Sequence, residues 1–285
     1  MWLKVIVFAI IVLVFIITIA ILYGSNRWQS NMRELHARME AARLPIVPET
    51  FHSHEWDGLP APVQRYFHTV LKEGQLLIAA VSLEHTGTFN MSETGEQWKP
   101  FKSTQRVITR RPSFVWDAHI RMAPAISVFV LDAYIAGEGL LTAKLFGFLT
   151  VMEQPDTPEL AQGELMRFFA EGTWYPTALL PGQGVVWEAI DDTHASATLT
   201  DGSTTVRLVF QFDVRGLISS VRSDERYREV DGMQVSTPWR GRFWNYELHD
   251  GMLIPLEAEV EWLLPEGPKP YWRGRIQQIE YEYAQ

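Results

Sequence analysis

Residues Val5 to Leu22 read VIVFAIIVLVFIITIAIL, eighteen positions without a charge. In hydrocarbon a lone span must satisfy its own backbone N–H and C=O groups, so this run can be little other than an α-helix. With Trp2, Leu3 and Tyr23 on its flanks it approaches the roughly 20 residues needed to cross a bilayer core. Trp2 and Tyr23 stand where an interfacial aromatic belt falls. A cleaved signal peptide has an apolar core of about 7–15 residues and a small-x-small site. Here the run is longer, and Ile21–Ser25 offers no Ala-x-Ala. The expectation is a retained single-pass anchor, residues 1–24, touching the membrane through residues 2–23.

The charge is divided around that anchor. Residues 1–43 hold Lys4, Arg27, Arg33, Arg38 and Arg43 against Glu34 and Glu40, while the rest of the chain has 20 basic and 32 acidic residues, a balance of −12. So acidic a domain repels phosphate backbones, which argues against nucleic-acid partners. It argues equally against broad electrostatic docking on anionic lipid. The four arginines after the span favour a cytoplasmic domain by the positive-inside rule. The four-residue N-tail ending in Lys4 fits a signal anchor that exports it, and the reading leans that way. Cysteine is absent, so disulfides, thiolate nucleophiles and Cys-ligated metals are excluded.

Past the anchor, Trp28, Met32, Leu35 and Met39 recur at helical spacing, with Ser25 as a cap and Pro45 beyond the end. Packing against the following domain is the default use of such a stripe; lipid or a second copy are the others. Residues 25–58 are read as this juxtamembrane helix plus a Pro-containing linker from 45 to 58. A second amphipathic helix runs from Leu59 through Val63, Tyr66, Phe67 and Val70 to Leu71, with Pro60 and Pro62 in its first turn and Gly74 as its stop.

From Leu76 the period becomes two. Strands are expected over 77–91, 101–110, 113–122, 126–136, 140–151, 184–191, 194–200, 204–213, 217–229, 236–249, 252–264 and 271–283. Asp201-Gly202 and Asp250-Gly251 are hairpin signals, and Arg215-Gly216 and Asp231-Gly232 further turns. One helix interrupts the strands. Asp156 and Glu159 resemble a capping box, Ala161, Leu165, Phe168 and Phe169 form its apolar face, and Gly172 ends it. The fold class is mainly β: an N-terminal transmembrane helix followed by a large curved antiparallel sheet or open barrel with two or three helices, residues 59–285 forming one domain.

Within the strands, Leu256, Ala258, Val260, Trp262 and Leu264 alternate with Glu257, Glu259 and Glu261, beside Arg240, Arg242, Arg273 and Arg275. Regular alternation of this kind describes a solvated ladder of cross-strand ion pairs. Residues 125–151 are apolar on both faces, as in a doubly buried strand, the wall of an apolar cavity or a membrane-contact surface.

No Gly-x-Ser-x-Gly, phosphate-cradling loop or His-Glu-x-x-His occurs. His52-Ser53-His54-Glu55 has ligand-like spacing, but in a linker, so no metal site is expected and no cofactor is implied. Asp117, His119 and Arg121 share one face of a strand. Joined by Glu164 and Arg167 they would serve acid–base chemistry only if all converge in one cleft.

Seven clusters are familiar in combination: Pro62-Val63-Gln64-Arg65-Tyr66, Trp98-Lys99-Pro100-Phe101, Phe114-Val115-Trp116-Asp117-Ala118, Gly163-Glu164-Leu165-Met166-Arg167-Phe168, Trp174 to Pro181, Pro238-Trp239-Arg240-Gly241-Arg242-Phe243 and Pro270-Tyr271-Trp272-Arg273-Gly274. Over roughly residues 59–283 the chain resembles a bacterial family of unknown function, which implies a bacterial inner membrane but no activity. A looser likeness is to curved-sheet lipoprotein carriers of the bacterial envelope. If the inserted helix plugs a concave sheet, Trp116, Glu164, Arg167, Trp174, Tyr175, Trp239, Arg242, Tyr246 and Trp272 are the candidate ligand-binding residues, for a lipid or other apolar ligand. Core aromatics and structural ion pairs explain the same residues. A membrane-proximal enzyme and a partner-binding scaffold built on the 25–43 helix remain the alternatives.

Overall fold

The computed structural model describes residues 1–47, 49–92, 94–230 and 232–284, with the backbone alone at 13 and 17. Helix α1 runs unbroken over Trp2–Ala42. Ser25 therefore caps nothing, because Gly24 and Ser25 continue the apolar half directly into the Met-rich half. Helix α2 is Ala61–Val70 and α3 is Pro158–Ala170. Thirteen strands form one antiparallel sheet that curls into a half-barrel. They are β1 (Ile78–Asn90), β2 (Trp98–Ile108), β3 (Ser113–Ala123), β4 (Ile126–Ile135), β5 (Glu138–Leu145), β6 (Leu149–Gln154), β7 (Val186–Ala189), β8 (His194–Asp201), β9 (Thr204–Phe212), β10 (Ile218–Val230), β11 (Met233–His249), β12 (Met252–Leu264) and β13 (Gly267–Tyr283).

The order β6-β5-β4-β3-β2-β1-β13-β12-β11-β10-β9-β8-β7 is two meanders sewn together where β1 pairs with β13. The edges are β6 and β7, which are successive in the chain. The segment joining them holds α3 and three short 3-10 turns over 171–183, and it crosses the open side of the curl and fills its concave face. Gly139 makes the crossing possible: a Cβ there would collide with the backbone of Leu160 and Ala161 on α3.

Two expectations change. The run 140–151 is two strands rather than one, since Phe146 and Gly147 take left-handed φ of 55° and 76° and reverse the chain into β6. A non-glycine residue such as Phe146 is uncommon in that region, and Gly147 is the one turn signal in the apolar run. The N-cap of α3 is Thr157, whose Oγ1 accepts from the Leu160 N–H at 3.2 Å; Asp156 instead accepts from the Gly139 N–H. The Asp201-Gly202, Arg215-Gly216 and Asp250-Gly251 turns occur as expected. Half of Asp231-Gly232 lies outside the described residues.

The sheet is buried on both faces by different partners. The concave face packs on α2, α3 and the 3-10 turns in one large core. On the outer face Trp28, Met32, Leu35 and Met39 of α1 bury Ala80, Ile108, Val115, Leu131, Ala133 and Ile135. That explains why β4 is apolar on both sides. The 45–58 segment is no loose tether: Phe51 and Trp56 are buried at 4.9 Å centroid separation, Thr50 bridges Leu76, and with α2 they close one end of the half-barrel.

The C-terminal ladder differs from a solvated one. Arg240 and Arg242 reach Glu261 and Glu259, and Arg273 reaches Glu259 from the other side at 2.5 Å. The arginines stay partly exposed, yet the Glu261 side chain is 1% exposed and Glu259 6%, roofed by the guanidiniums. Burial works against the charged Glu259, but the hydrogen bonds from Arg273 and Arg242 outweigh it and hold its carboxyl below the usual range.

Candidate functional site: the concave face and its open end

Arg167 projects from α3 toward the sheet. Its Nη1 meets Asp132 Oδ2 of β4 at 2.5 Å, and its Nε meets Glu171 Oε1 one turn on at 2.8 Å. Gln105 of β2 donates to the second oxygen of Glu171 at 2.6 Å. The guanidinium lies over Phe114 and Trp116, 4.8 and 4.9 Å from their ring centroids. Burial opposes its charge, but Glu171 and Asp132 more than compensate and hold it more firmly protonated than an ordinary arginine. One turn before it, Glu164 faces Arg226 of β10 at 3.6 Å, and Arg226 in turn lies 5.0 Å over Trp239. Burial, then the charge of Asp132, pushes the Glu164 carboxyl well above its ordinary value. His85 of β1 sits between Trp174 and Trp272, 5.1 and 6.1 Å away, and burial, with Arg167 adding to it, pushes its imidazole down to about 3.

This nest is charged but incompletely bonded. Arg226 Nη1, both His85 nitrogens, Ser103 Oγ and the indole N–H groups of Trp116 and Trp174 are buried without a hydrogen-bond partner, and the carboxyls of Asp132 and Glu164 lie where a single proton would bond one to the other. Each such group costs about 1–3 kcal/mol unless something satisfies it, and proteins rarely gather so many in one place.

The sequence candidates divide. Trp116, Glu164, Arg167, Trp174, Trp239 and Trp272 do meet on the concave face, and Tyr175 adjoins them, its hydroxyl donating to Phe168 O at 2.6 Å. Arg242 does not: it is on the outer face, in the Glu259 pair. Tyr246 points inward but away from the nest, donating to Ile218 O beside Tyr66. Asp117 and His119 are also outside, where Asp117 accepts from the Trp28 indole at 2.9 Å and His119 lies 4.0 Å from Phe129. Asp117 and His119 therefore do not converge with Glu164 and Arg167, and the condition for the enzyme reading is not met. His52 pairs with Glu73 at 3.0 Å. Residues the sequence left unmarked include Asp132, Glu171, Gln105, His85 and Arg226. A signal existed for two of them: Asp132 is the lone acid in an apolar strand, and Glu171 stands four residues after Arg167.

Toward one end the concave face opens. Phe89, Met122, Val130, Val260, Trp262 and Tyr271 pack on the core but stay partly exposed, forming an apolar lip. Trp262 stacks on Tyr271 at 5.6 Å, and the Tyr271 hydroxyl accepts from the Trp239 indole at 2.9 Å, which joins lip to nest. The lip lies at the end of the half-barrel opposite α2. Helix α1 fixes the direction: its residue 44 end meets Arg110, its Gly24 meets the Phe146–Phe148 turn, and residues 2–23 continue past the lip end. Two clefts lie elsewhere, one of about 350 Å³ between α1 and the outer face of β1, β2 and β13, and one of about 430 Å³ between α2 and the β9–β10 turn.

The architecture defines a half-barrel plugged by a helix that bridges its own two edges. The chain belongs to a family of unknown function, DUF6920, whose profile matches residues 57–281. No curated protein matches the chain. Among solved structures it is similar to a LolA-superfamily protein from Nitrosomonas europaea, with 11% identity and TM-score 0.42 over 79% of this chain and 94% of that one. A Vibrio parahaemolyticus domain described as an outer membrane lipoprotein-sorting protein gives 8% identity and TM-score 0.38 over 72% and 86%. A β-barrel-like DUF1849 protein from Brucella abortus gives 10% and 0.22 over 72% and 99%. Similarity at this level carries no function from those proteins to this one.

Proposed function

We propose that this is a membrane-tethered binding module that takes an amphipathic, lipid-class ligand at the open end of its half-barrel. The carrying observation is the pairing of an apolar, partly exposed lip with a buried nest whose polar atoms lack partners. A ligand with an apolar tail and a polar end suits both halves: its tail covers the lip, and its polar end reaches the unpaired groups past Tyr271. Arg167 and Arg226 stand against Asp132, Glu171 and Glu164, so the charge of the nest is largely balanced, which favours an uncharged or zwitterionic polar group. Helix α1 supports the tether, since 0% of its most apolar window is buried by the protein. The domain is read as lying on the extracytoplasmic face of a bacterial inner membrane, although the four arginines after the span count the other way. A protease added to spheroplasts, stripped of the outer membrane, would digest the domain there and spare it on the cytoplasmic side.

The test is native mass spectrometry of the full chain, moved from its own membrane through several detergents. The expected result is a lipid-mass adduct that survives exchange and disappears in Val130→Glu. An apo mass in every detergent sinks the reading. Residues 25–43 must be kept, because they cover the outer core.

A further inference from the structure

We propose that the β4–β6 corner of the half-barrel rests in the headgroup layer of the bilayer that α1 crosses, so that lipid covers its exposed apolar side chains. This rests on the membrane reading above and deepens it, by assigning the surface of the domain that meets lipid.

The geometry begins at Gly24. A Cβ there would overlap the carbonyl oxygen of Phe146 and strike the ring of Phe148, so the β5–β6 turn lies directly on the helix backbone. Val5–Leu22 is about 27 Å long at 1.5 Å per residue, close to the ~30 Å hydrocarbon thickness of a bilayer. Gly24 is only about 3 Å further along the axis. The headgroup layers add roughly 5–8 Å on each side. A turn held against Gly24 is therefore held at headgroup depth whenever Val5–Leu22 fills the hydrocarbon.

The side chains at that corner fit the depth. Leu149 is 49% exposed, Val151 58%, Met152 38% and Ile126 39%, all within the two turns 124–125 and 146–148 and the strands they join. An apolar edge strand facing water invites pairing with other chains, and proteins ordinarily blunt such edges with charge or cover them. The local charge also suits lipid phosphate. From Arg121 to Thr150 the basic residues are Arg121 and Lys144, joined across the contact by exposed Arg27, with one exposed acid, Glu153, further along β6. The two acids in that stretch are spent elsewhere, Asp132 on Arg167 and Glu138 on Arg38 at the closed end. The domain as a whole is acidic, but this corner is not.

The opposite edge gives an internal control. Val186 on β7 is 61% exposed and Ile190 just beyond it 51%, yet Asp192 in the same loop is held by Arg65 of α2, at the closed end away from α1's apolar half.

Because the chain has no cysteine, single cysteines carry a probe cleanly. Ile10→Cys, Leu149→Cys, Val151→Cys and Ile190→Cys, each in the full chain, are labelled with an environment-sensitive fluorophore. They are reconstituted into phosphatidylethanolamine–phosphatidylglycerol vesicles containing headgroup-proximal or chain-end spin-labelled lipid. The expected result is quenching at 149 and 151 by the headgroup-proximal lipid, several-fold above that at 190, with position 10 quenched by the chain-end lipid. Quenching at 10 with 149 and 151 no different from 190 overturns the inference and leaves the tether standing. No quenching at 10 brings down both. Met152→Cys repeats the measurement should either neighbouring variant fail to fold.

Discussion

Arginine–carboxylate pairs occupy both faces of this sheet, and the two sets are built differently. On the outer face Glu259 takes bonds from Arg242 and Arg273, and Glu261 from Arg240, so each buried acid is roofed by guanidiniums that still touch water. Under α3 the order is reversed. Arg226 is itself buried and Arg167 largely so, Arg226 Nη1 has no partner, and Asp132 and Glu164 set one carboxyl against another. One set is a closed account of charges at a solvent boundary. The other is left open beneath α3. Counting ion pairs therefore says little; how many lone pairs remain unpaired separates a strut from a site.

The comparison breaks hardest at Arg167. Arg167→Met leaves Asp132 and Glu171 buried and unopposed, and removing one partner of a buried pair costs about 3–5 kcal/mol. Chemical denaturation of the full chain should show that loss; a change below about 1 kcal/mol would mean the pocket is wet. Arg167→Lys should recover little, because a single ammonium cannot serve Asp132, Glu171 and the two aromatic faces together.

His85 sharpens it through acid. Its folded value near 3 lies below the ordinary 6.5, so the unfolded chain binds the extra proton and stability falls as pH drops from about 6.5 toward 3. The slope contributed by one proton is at most about 1.4 kcal/mol per pH unit. His85→Phe should flatten that limb, as read by melting temperature against pH; an unchanged limb assigns it to other groups.

Glu164 works with the opposite sign. Its folded value is raised above 4.5, so the unfolded chain loses the proton first and stability declines as pH rises above about 4.5. Glu164→Gln mimics the protonated form and should raise stability at pH 8 by on the order of 1–2 kcal/mol. Destabilisation at that pH would show that the carboxylate is charged and paired with Arg226.

The smallest effect belongs to the outer ladder. Arg242→Ala leaves Glu259 with Arg273 and should cost less than about 1 kcal/mol, falling further in high salt. A loss as large as that at Arg167 would erase the distinction between the faces.

Much of the fold was legible because alternation and turn residues agree. Asp201-Gly202 and Asp250-Gly251 mark hairpins that form, and strand edges fall within a few residues of the periodic runs. The β5–β6 turn was hidden because Phe146 adopts a backbone conformation its side chain does not advertise. The site was half legible. Glu164 and Arg167, three apart, announce one face of a helix, whereas Asp132 meets Arg167 across 35 positions and Glu164 meets Arg226 across 62. Periodicity reports which side of an element a residue occupies, and not what lies opposite. Arg242 is different: three positions from Trp239 on one regular strand, it falls by alternation on the opposite face, and grouping it with Trp239 overlooks that parity.

Helix α1 has no joint. The same rod that is bare over its first half is wedged by Trp28, Met32, Leu35 and Met39 against the sheet. A flexible stalk would let the half-barrel swivel; a continuous spar does not. Spans commonly lean by about 20° to match local bilayer thickness. If α1 crosses a bilayer as proposed, a rigid spar passes that lean on in full, and the pitch of the lip becomes a mechanical readout of how thick the membrane beneath it is.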